Sequence, residues 1–71
     1  MKLKDLKPIL KSSIGRIQWT IVYDYTIHRD IEYGCSVEYA IKNYGDFGVE
    51  KIESCIENNQ DYLVISVAKE N

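Results

Sequence analysis

The feature that most constrains the fold of this sequence is a run of alternating residues from position 16 to position 24. Every second position holds a large apolar or aromatic residue, namely Ile17, Trp19, Ile21 and Tyr23. β-Branched and aromatic residues that recur with a period of two are typical of a β-strand. We therefore predict a strand over residues 16–24, with Ile17, Trp19 and Ile21 in the core.

A second strand is predicted over residues 27–33, where the alternation continues after a turn at residues 24–26. The two strands would form a hairpin. The second strand has fewer apolar residues on one face, which is typical of a strand at the edge of a sheet.

Helical spacing appears twice. Leu3, Leu6 and Leu10 recur at intervals of three and four, which predicts a short amphipathic helix over residues 3–12 with Pro8 near its first turn. A second helix is predicted over residues 37–44, with Ser36 as its N-cap and Gly45 as its C-terminal cap.

Two further strands complete the predicted fold, at residues 49–57 and 62–68, separated by a polar turn at residues 58–61. The simplest arrangement is an α+β single domain over residues 1–71, with a four-stranded antiparallel sheet and both helices on one face. Its predicted core consists of Leu6, Leu10, Ile17, Trp19, Ile21, Ile41, Ile52, Ile56, Leu63, Ile65 and Val67.

Size and composition exclude several classes of protein. A chain of 71 residues with 45% hydrophobic residues and a net charge of −2 is typical neither of a multidomain nor of a disordered protein. No apolar run is long enough to span a membrane, and the basic start has no signal-peptide core. We expect the protein in the cytosol, with no membrane partner.

The ligands and nucleophiles of the sequence are sparse. Cys35, Cys55 and His28 are its soft metal ligands, and the cysteines stand twenty positions apart without the close pair of a structural zinc site. A disulfide and a Cys35–His28 nucleophile remain alternatives, but no orienting group or phosphate loop accompanies them. We expect free thiols, no cofactor, no metal and no enzymatic activity.

Direct nucleic-acid binding is disfavoured, because the sequence pI of about 5.2 lies far below the value above 9 typical of such proteins. The first 20 residues are net basic and the rest are net acidic. An acidic body favours association with basic surfaces.

The most informative excess is tyrosine, with six residues in this short chain. Tyrosine is enriched at protein interfaces because it combines a large apolar area with a hydroxyl group. Aromatic and acidic residues lie together around the predicted first hairpin, and we predict a partner-binding surface made of Tyr23, Asp24, Tyr25, Asp30, Glu32 and Tyr33.

Three segments resemble the short uncharacterised proteins of phages and mobile elements in low-GC Gram-positive bacteria. They are the opening Met-Lys-Leu-Lys-Asp-Leu, the middle Tyr-Gly-Cys-Ser-Val-Glu-Tyr-Ala-Ile-Lys-Asn-Tyr-Gly, and the ending from Val-Glu-Lys-Ile-Glu-Ser to Asp-Tyr-Leu-Val-Ile-Ser-Val. The resemblance lies in layout and carries no functional motif, so it assigns no residue roles. It implies a setting in which small acidic proteins include inhibitors of host defence, such as anti-CRISPR proteins.

These observations predict a non-enzymatic binding protein that occupies the surface of a host protein, such as a nucleic-acid-binding effector. We also expect a homodimer, formed through the edge strand at residues 27–33. The alternative functions are a small-ligand binder at an oligomer interface, for example for a nucleotide signal, and a structural or interaction subunit.

Overall fold

The structure of the protein is a computed structural model that describes residues 1–8 and 19–69. Its elements are a 3₁₀ helix at Leu3–Leu6, strand β1 at Trp19–Asp24, strand β2 at Arg29–Cys35, helix α1 at Val37–Tyr44, strand β3 at Gly48–Glu57 and strand β4 at Gln60–Ala68. The predicted positions Leu10 and Ile17, and the predicted helix beyond residue 8, lie outside the described residues.

The four strands form one sheet in the order β2-β1-β4-β3. Strands β1 and β2 are antiparallel, as are β3 and β4, but the central strands β1 and β4 are parallel. The number of strands and both hairpins were predicted correctly, whereas a fully antiparallel sheet is wrong. A short turn fixes the direction within each hairpin, but the crossover through α1 sets how the two hairpins meet.

Helix α1 has the predicted boundaries, and Ser36 is its N-cap, because the Tyr39 backbone N–H donates a hydrogen bond of 3.1 Å to Ser36 Oγ. Gly45 is the C-cap of α1, as predicted, and its backbone has a right-handed helical conformation. A Cβ atom at this position would clash with the Ile41 carbonyl oxygen and would lie 3.2 Å from Lys4 Cβ. Gly45 therefore allows the N-terminal segment to pack closely against the end of α1.

The N-terminal segment forms a 3₁₀ helix where the first turns of an α-helix were predicted. Its backbone is tied to the loop after α1, because the N–H groups of Leu3 and Lys4 donate hydrogen bonds of 3.0 Å to the carbonyls of Phe47 and Gly45. The 3₁₀ helix and α1 pack on the same face of the sheet, but the described residues contain one α-helix rather than the two predicted. Their apolar side chains meet the sheet in one core cluster of Leu3, Leu6, Val22, Val37, Ala40, Leu63, Ile65 and Val67.

The predicted core is wrong for three residues. Trp19, Ile52 and Ile56 are 41%, 38% and 73% exposed. On β1 the residue that joins the core cluster is Val22, whereas the side chain of Trp19 lies on the opposite face. The side of β1 that faces the helical elements carries Thr20, Val22 and Asp24, which are all buried. Their side chains are smaller than that of Trp19, so the helical elements can approach the sheet more closely.

No helix among the described residues has the length and apolar character needed to cross a membrane.

Candidate functional site

The face of the sheet opposite α1 is not covered by any of the described elements, and we call it the open face. Residues that pair across neighbouring strands share a face, so the register places Tyr33, Ile21, Val64 and Glu53 in one row across all four strands. A second row consists of Trp19, Tyr62 and Cys55. The open face is therefore rich in aromatic residues at its centre.

Tyr33 contacts residues of both β4 and β3 on the open face. Its ring lies 5.2 Å from the ring of Tyr62, and its hydroxyl donates a hydrogen bond to Glu57 on β3. The side chain thus lies across the middle of the sheet, which explains why its neighbour Ile21 is buried although no helix covers it. The hydrogen bond to Glu57 raises the pKa of Tyr33, because ionisation would remove the proton that the hydroxyl donates.

A second aromatic group lies where β1 enters its turn. The rings of Tyr23 and Tyr25 pack edge to face at 5.3 Å, and His28 follows at 6.3 Å from Tyr25. His28 and its neighbours form the turn that ends at β2, and His28 takes the left-handed conformation with φ of 54°. The turn of the first hairpin spans residues 25–28 rather than the predicted 24–26, and β2 begins at Arg29 rather than at residue 27. The tip of this hairpin is therefore aromatic.

Acidic groups border these aromatic residues. Asp30 is paired with Tyr23, and Glu53 and Glu57 lie on β3. Lys51 pairs with Glu53 at 3.2 Å, and this carboxylate raises the pKa of the lysine. Carboxylates thus outnumber lysines on the open face within the described residues.

The six residues predicted for partner binding divide between the two faces. Tyr23, Tyr25, Asp30 and Tyr33 lie on the open face or at its hairpin tip. Asp24 is buried and accepts a hydrogen bond of 2.8 Å from the Thr26 backbone N–H, which closes the turn.

Glu32, the sixth residue, faces α1. It accepts hydrogen bonds from the hydroxyls of Tyr44, at 2.8 Å, and Tyr39, at 3.4 Å. Burial and this carboxylate raise the pKa of Tyr44 to about 12. Asp24 and Glu32 therefore stabilise the fold from within the chain.

Sequence reasoning missed Trp19 and Tyr62 as surface residues. Trp19 and Tyr62 pair with each other on neighbouring strands. This pair could have been recognised from the sequence only if the parallel pairing of β1 with β4 had been known. Alternation alone does not say which side of a strand a helix will cover.

The two cysteines lie on opposite edges of the sheet, on β2 and β3, and both are free and half-buried. Cys35 Sγ lies 3.0 Å from Thr20 Oγ, whereas the His28 ring contacts Tyr25 and lies within hydrogen-bond distance of the Tyr23 hydroxyl. Burial raises the pKa of the Cys55 thiol. No cluster of three metal-binding side chains occurs among residues 1–8 and 19–69.

No family model, curated protein or solved structure matches the chain.

Proposed function

We propose that this chain is a small non-enzymatic binding protein that occupies a basic surface of another protein with its open face. The observation that carries the proposal is the combination of exposed aromatic side chains and surplus carboxylates on one uncovered side of the sheet. A partner surface rich in lysine and arginine complements this charge.

The aromatic residues supply the anchors for such an interface. Trp19 and Tyr33 are 41% and 53% exposed, and Tyr25 extends the surface at the hairpin tip. Side chains of this kind dominate interface hot spots because they bury a large area with few rotatable bonds. The Tyr33–Glu57 hydrogen bond holds one anchor in place before binding, which lowers the entropy cost of association.

The acidic residues favour a protein partner over a nucleic acid. Aromatic residues on an open sheet can stack on single-stranded bases, but that mode is accompanied by a positively charged groove. Here Asp30, Glu53 and Glu57 would repel phosphates. In the genomic setting that the sequence resemblance implies, the partner is a host defence protein whose basic surface normally binds DNA or RNA.

Capture from lysate of a Gram-positive host tests the proposal when it is combined with matched variants. The test variant is Tyr25→Ala with Asp30→Ala, which removes one aromatic ring and one carboxylate from the open face. The control is Tyr39→Ala with Asp46→Ala, which makes the same chemical change on the helix side, where both residues are exposed.

We expect the natural chain and the control variant to capture the same host protein, and a DNA or RNA oligonucleotide to displace it. The test variant should bind this protein about 30-fold more weakly. Circular dichroism would verify that both variants are folded. Reversal of charge at Lys4 and Lys7 should have a much smaller effect than the test variant.

Two results would overturn the proposal. One is loss of capture in the lysine variant together with full capture by the folded test variant, which would place the binding surface on the basic N-terminal segment. The other is direct binding of the oligonucleotide to the chain itself, which would make the open face a nucleic-acid site.

A further inference from the structure

Strand β3 has a free edge whose extent the structure defines. β3 lies at the end of the sheet, and β4 is its neighbouring strand among residues 1–8 and 19–69. The first part of its outer edge is covered by the N-terminus, since the Val49 N–H donates a hydrogen bond of 2.8 Å to the Met1 carbonyl and the Leu3 N–H binds the Phe47 carbonyl. An irregularity follows between Val49 and Lys51. From residue 51 to residue 57, no described residue pairs with this edge.

The same stretch exposes two isoleucines. Ile52 and Ile56 lie on the helix side of the sheet, where they pair with Ile65 and Asp61, and they are 38% and 73% exposed. Natural edge strands are normally protected by bulges, prolines or charges that point inward. A seven-residue edge in uninterrupted register with exposed isoleucines is instead typical of a strand that pairs with another strand.

We propose that two copies of this chain form a dimer by antiparallel pairing of β3 with β3, with Ser54 of each copy at the two-fold axis. This inference goes beyond the proposed function and does not depend on it. It would join the two sheets into one continuous sheet of eight strands.

The hydrogen-bond pattern restricts the possible registers. Glu57 and Gln60 flank the two-residue turn Asn58–Asn59 and pair with each other, so the N–H and C=O groups of Glu57 point toward β4. Because these directions alternate along a strand, the outward-pointing groups belong to Ile52, Ser54 and Ile56. Only registers that match these three residues with one another form hydrogen bonds.

The charges and the N-terminus then select one register. A two-fold axis at Glu53 would place the two copies of this carboxylate opposite each other, and an axis at Cys55 would place Glu53 opposite Glu57. An axis at Ile52 would extend the pairing into the edge that Met1–Leu3 covers.

With the axis at Ser54, every pair is compatible. Ile52 of each copy lies opposite Ile56 of the other on one side of the sheet, so the exposed isoleucines cover one another. Lys51 lies opposite Glu57 on the other side, twice by symmetry, and opposite charges in this position stabilise the pairing.

Strand β2 is the other edge of the sheet, but it is less suitable for self-pairing. Its register with β1 is interrupted twice, near Gly34, which has φ of 80°, and near Ile31. Such bulges bend and twist an edge and hinder the addition of a further strand. The dimer is therefore assigned to β3 rather than to residues 27–33.

Sedimentation velocity of the full chain over a micromolar concentration range is the first test. We expect the mass of two chains for the natural protein and of one chain for Ile56→Lys. Ile27→Lys is the matched control, since Ile27 is also exposed but lies in the turn before β2. It should remain a dimer. A natural protein that sediments as one chain throughout, or an Ile56→Lys variant that stays dimeric, would overturn the proposal.

Charge exchange tests the register itself. Lys51→Glu should weaken dimerisation about tenfold, because it places two carboxylates opposite each other at two symmetric positions. Adding Glu57→Lys should restore the affinity. Failure of the second change to restore it, with both variants folded, would contradict this register.

Cross-linking provides an independent measure of the register. In a background with Cys35→Ala and Cys55→Ala, oxidation of Ser54→Cys should give a covalent dimer, because the two positions lie directly opposite. Lys51→Cys in the same background should stay monomeric on a non-reducing gel, since the two copies of that position would be about 20 Å apart. The reverse outcome would rule out an axis at Ser54.

Discussion

The hydroxyl of Tyr44 donates a hydrogen bond of 2.8 Å to Glu32 Oε1, and this contact fixes the end of α1 to the edge strand β2. Both residues are half-buried. Helix α1 partly shields the Glu32 carboxylate from water, and the Tyr44 hydroxyl supplies a hydrogen bond in place of water. Tyr44 therefore has a structural role on the helix side of the sheet.

We predict that Tyr44→Phe lowers the free energy of unfolding by about 1 kcal/mol, because it removes the shorter of the two hydrogen bonds that Glu32 accepts. Urea denaturation at pH 8 measures the change. Tyr39→Phe is the control, since its bond is 3.4 Å long and exposed, and it should have little effect. Equal losses in both variants would show that Glu32 does not distinguish the two hydroxyls.

The same pair predicts a dependence on alkaline pH. Burial, together with Glu32, raises the pKa of Tyr44 from 10.0 to about 12 in the folded protein. A raised pKa stabilises the fold fully below pH 10, and this contribution is lost as the pH rises toward 12. The gap in urea midpoint between the natural protein and Tyr44→Phe should therefore narrow between pH 10 and pH 12. A gap that stays constant would show that the tyrosine is not coupled to folding.

The turn between β3 and β4 gives a third prediction. Asn58 and Asn59 both have positive φ, 51° and 63°, which is the conformation of a two-residue hairpin turn that favours glycine at its second position. Asn59→Gly should leave stability unchanged or raise it. Asn59→Val should lower the free energy of unfolding by about 1–2 kcal/mol, because a β-branched residue is strained in this region. Urea midpoints of the two variants, compared with the natural protein, decide the point.

Local signals in the sequence were sufficient for most of the secondary structure. Ser36 and the apolar spacing that follows it predicted both ends of α1, because an N-cap is a contact between residues three apart. The polar run at residues 58–61 predicted the second hairpin, although the turn itself needs only Asn58 and Asn59.

Contacts between segments that are distant in the chain could not be predicted from the sequence. The parallel pairing of β1 with β4 joins residues more than 40 positions apart, and no local pattern encodes it. This pairing decides that Trp19 lies beside Tyr62 on the open face. For the same reason, the sequence did not show that Asp24 and Glu32 belong to the internal hydrogen bonds of the fold. The binding role of Tyr23, Tyr25, Asp30 and Tyr33 stays a prediction.

The N-cap supplies a further quantitative prediction. Ser36→Ala should lower the free energy of unfolding by about 1 kcal/mol, since the Tyr39 N–H then loses its side-chain acceptor. Ser36→Asp should retain the stability, because aspartate is an equally good cap and its charge suits a helix N-terminus. Thermal unfolding followed by circular dichroism distinguishes the two variants, and equal melting temperatures for alanine and aspartate would contradict the role of the cap.

The last prediction concerns the thiols. Mass spectrometry of the native protein should show both cysteines reduced, with no bound metal and no loss of two hydrogens. Cys55 should also react with iodoacetamide at pH 8 more slowly than free cysteine does, because burial raises its pKa and lowers the thiolate fraction. Peptide mapping would assign the label to Cys55 or Cys35.

Unfolding provides the control for this measurement. In concentrated urea the burial of Cys55 is lost, so its alkylation rate should rise to that of free cysteine, whereas a rate that depends only on neighbouring sequence would not change. A Cys55 that reacts in the native protein as fast as in urea would contradict the burial described for β3. Because Cys55 lies between Glu53 and Glu57, Glu53→Gln should speed the native reaction slightly, since Glu53 also raises the pKa of the thiol.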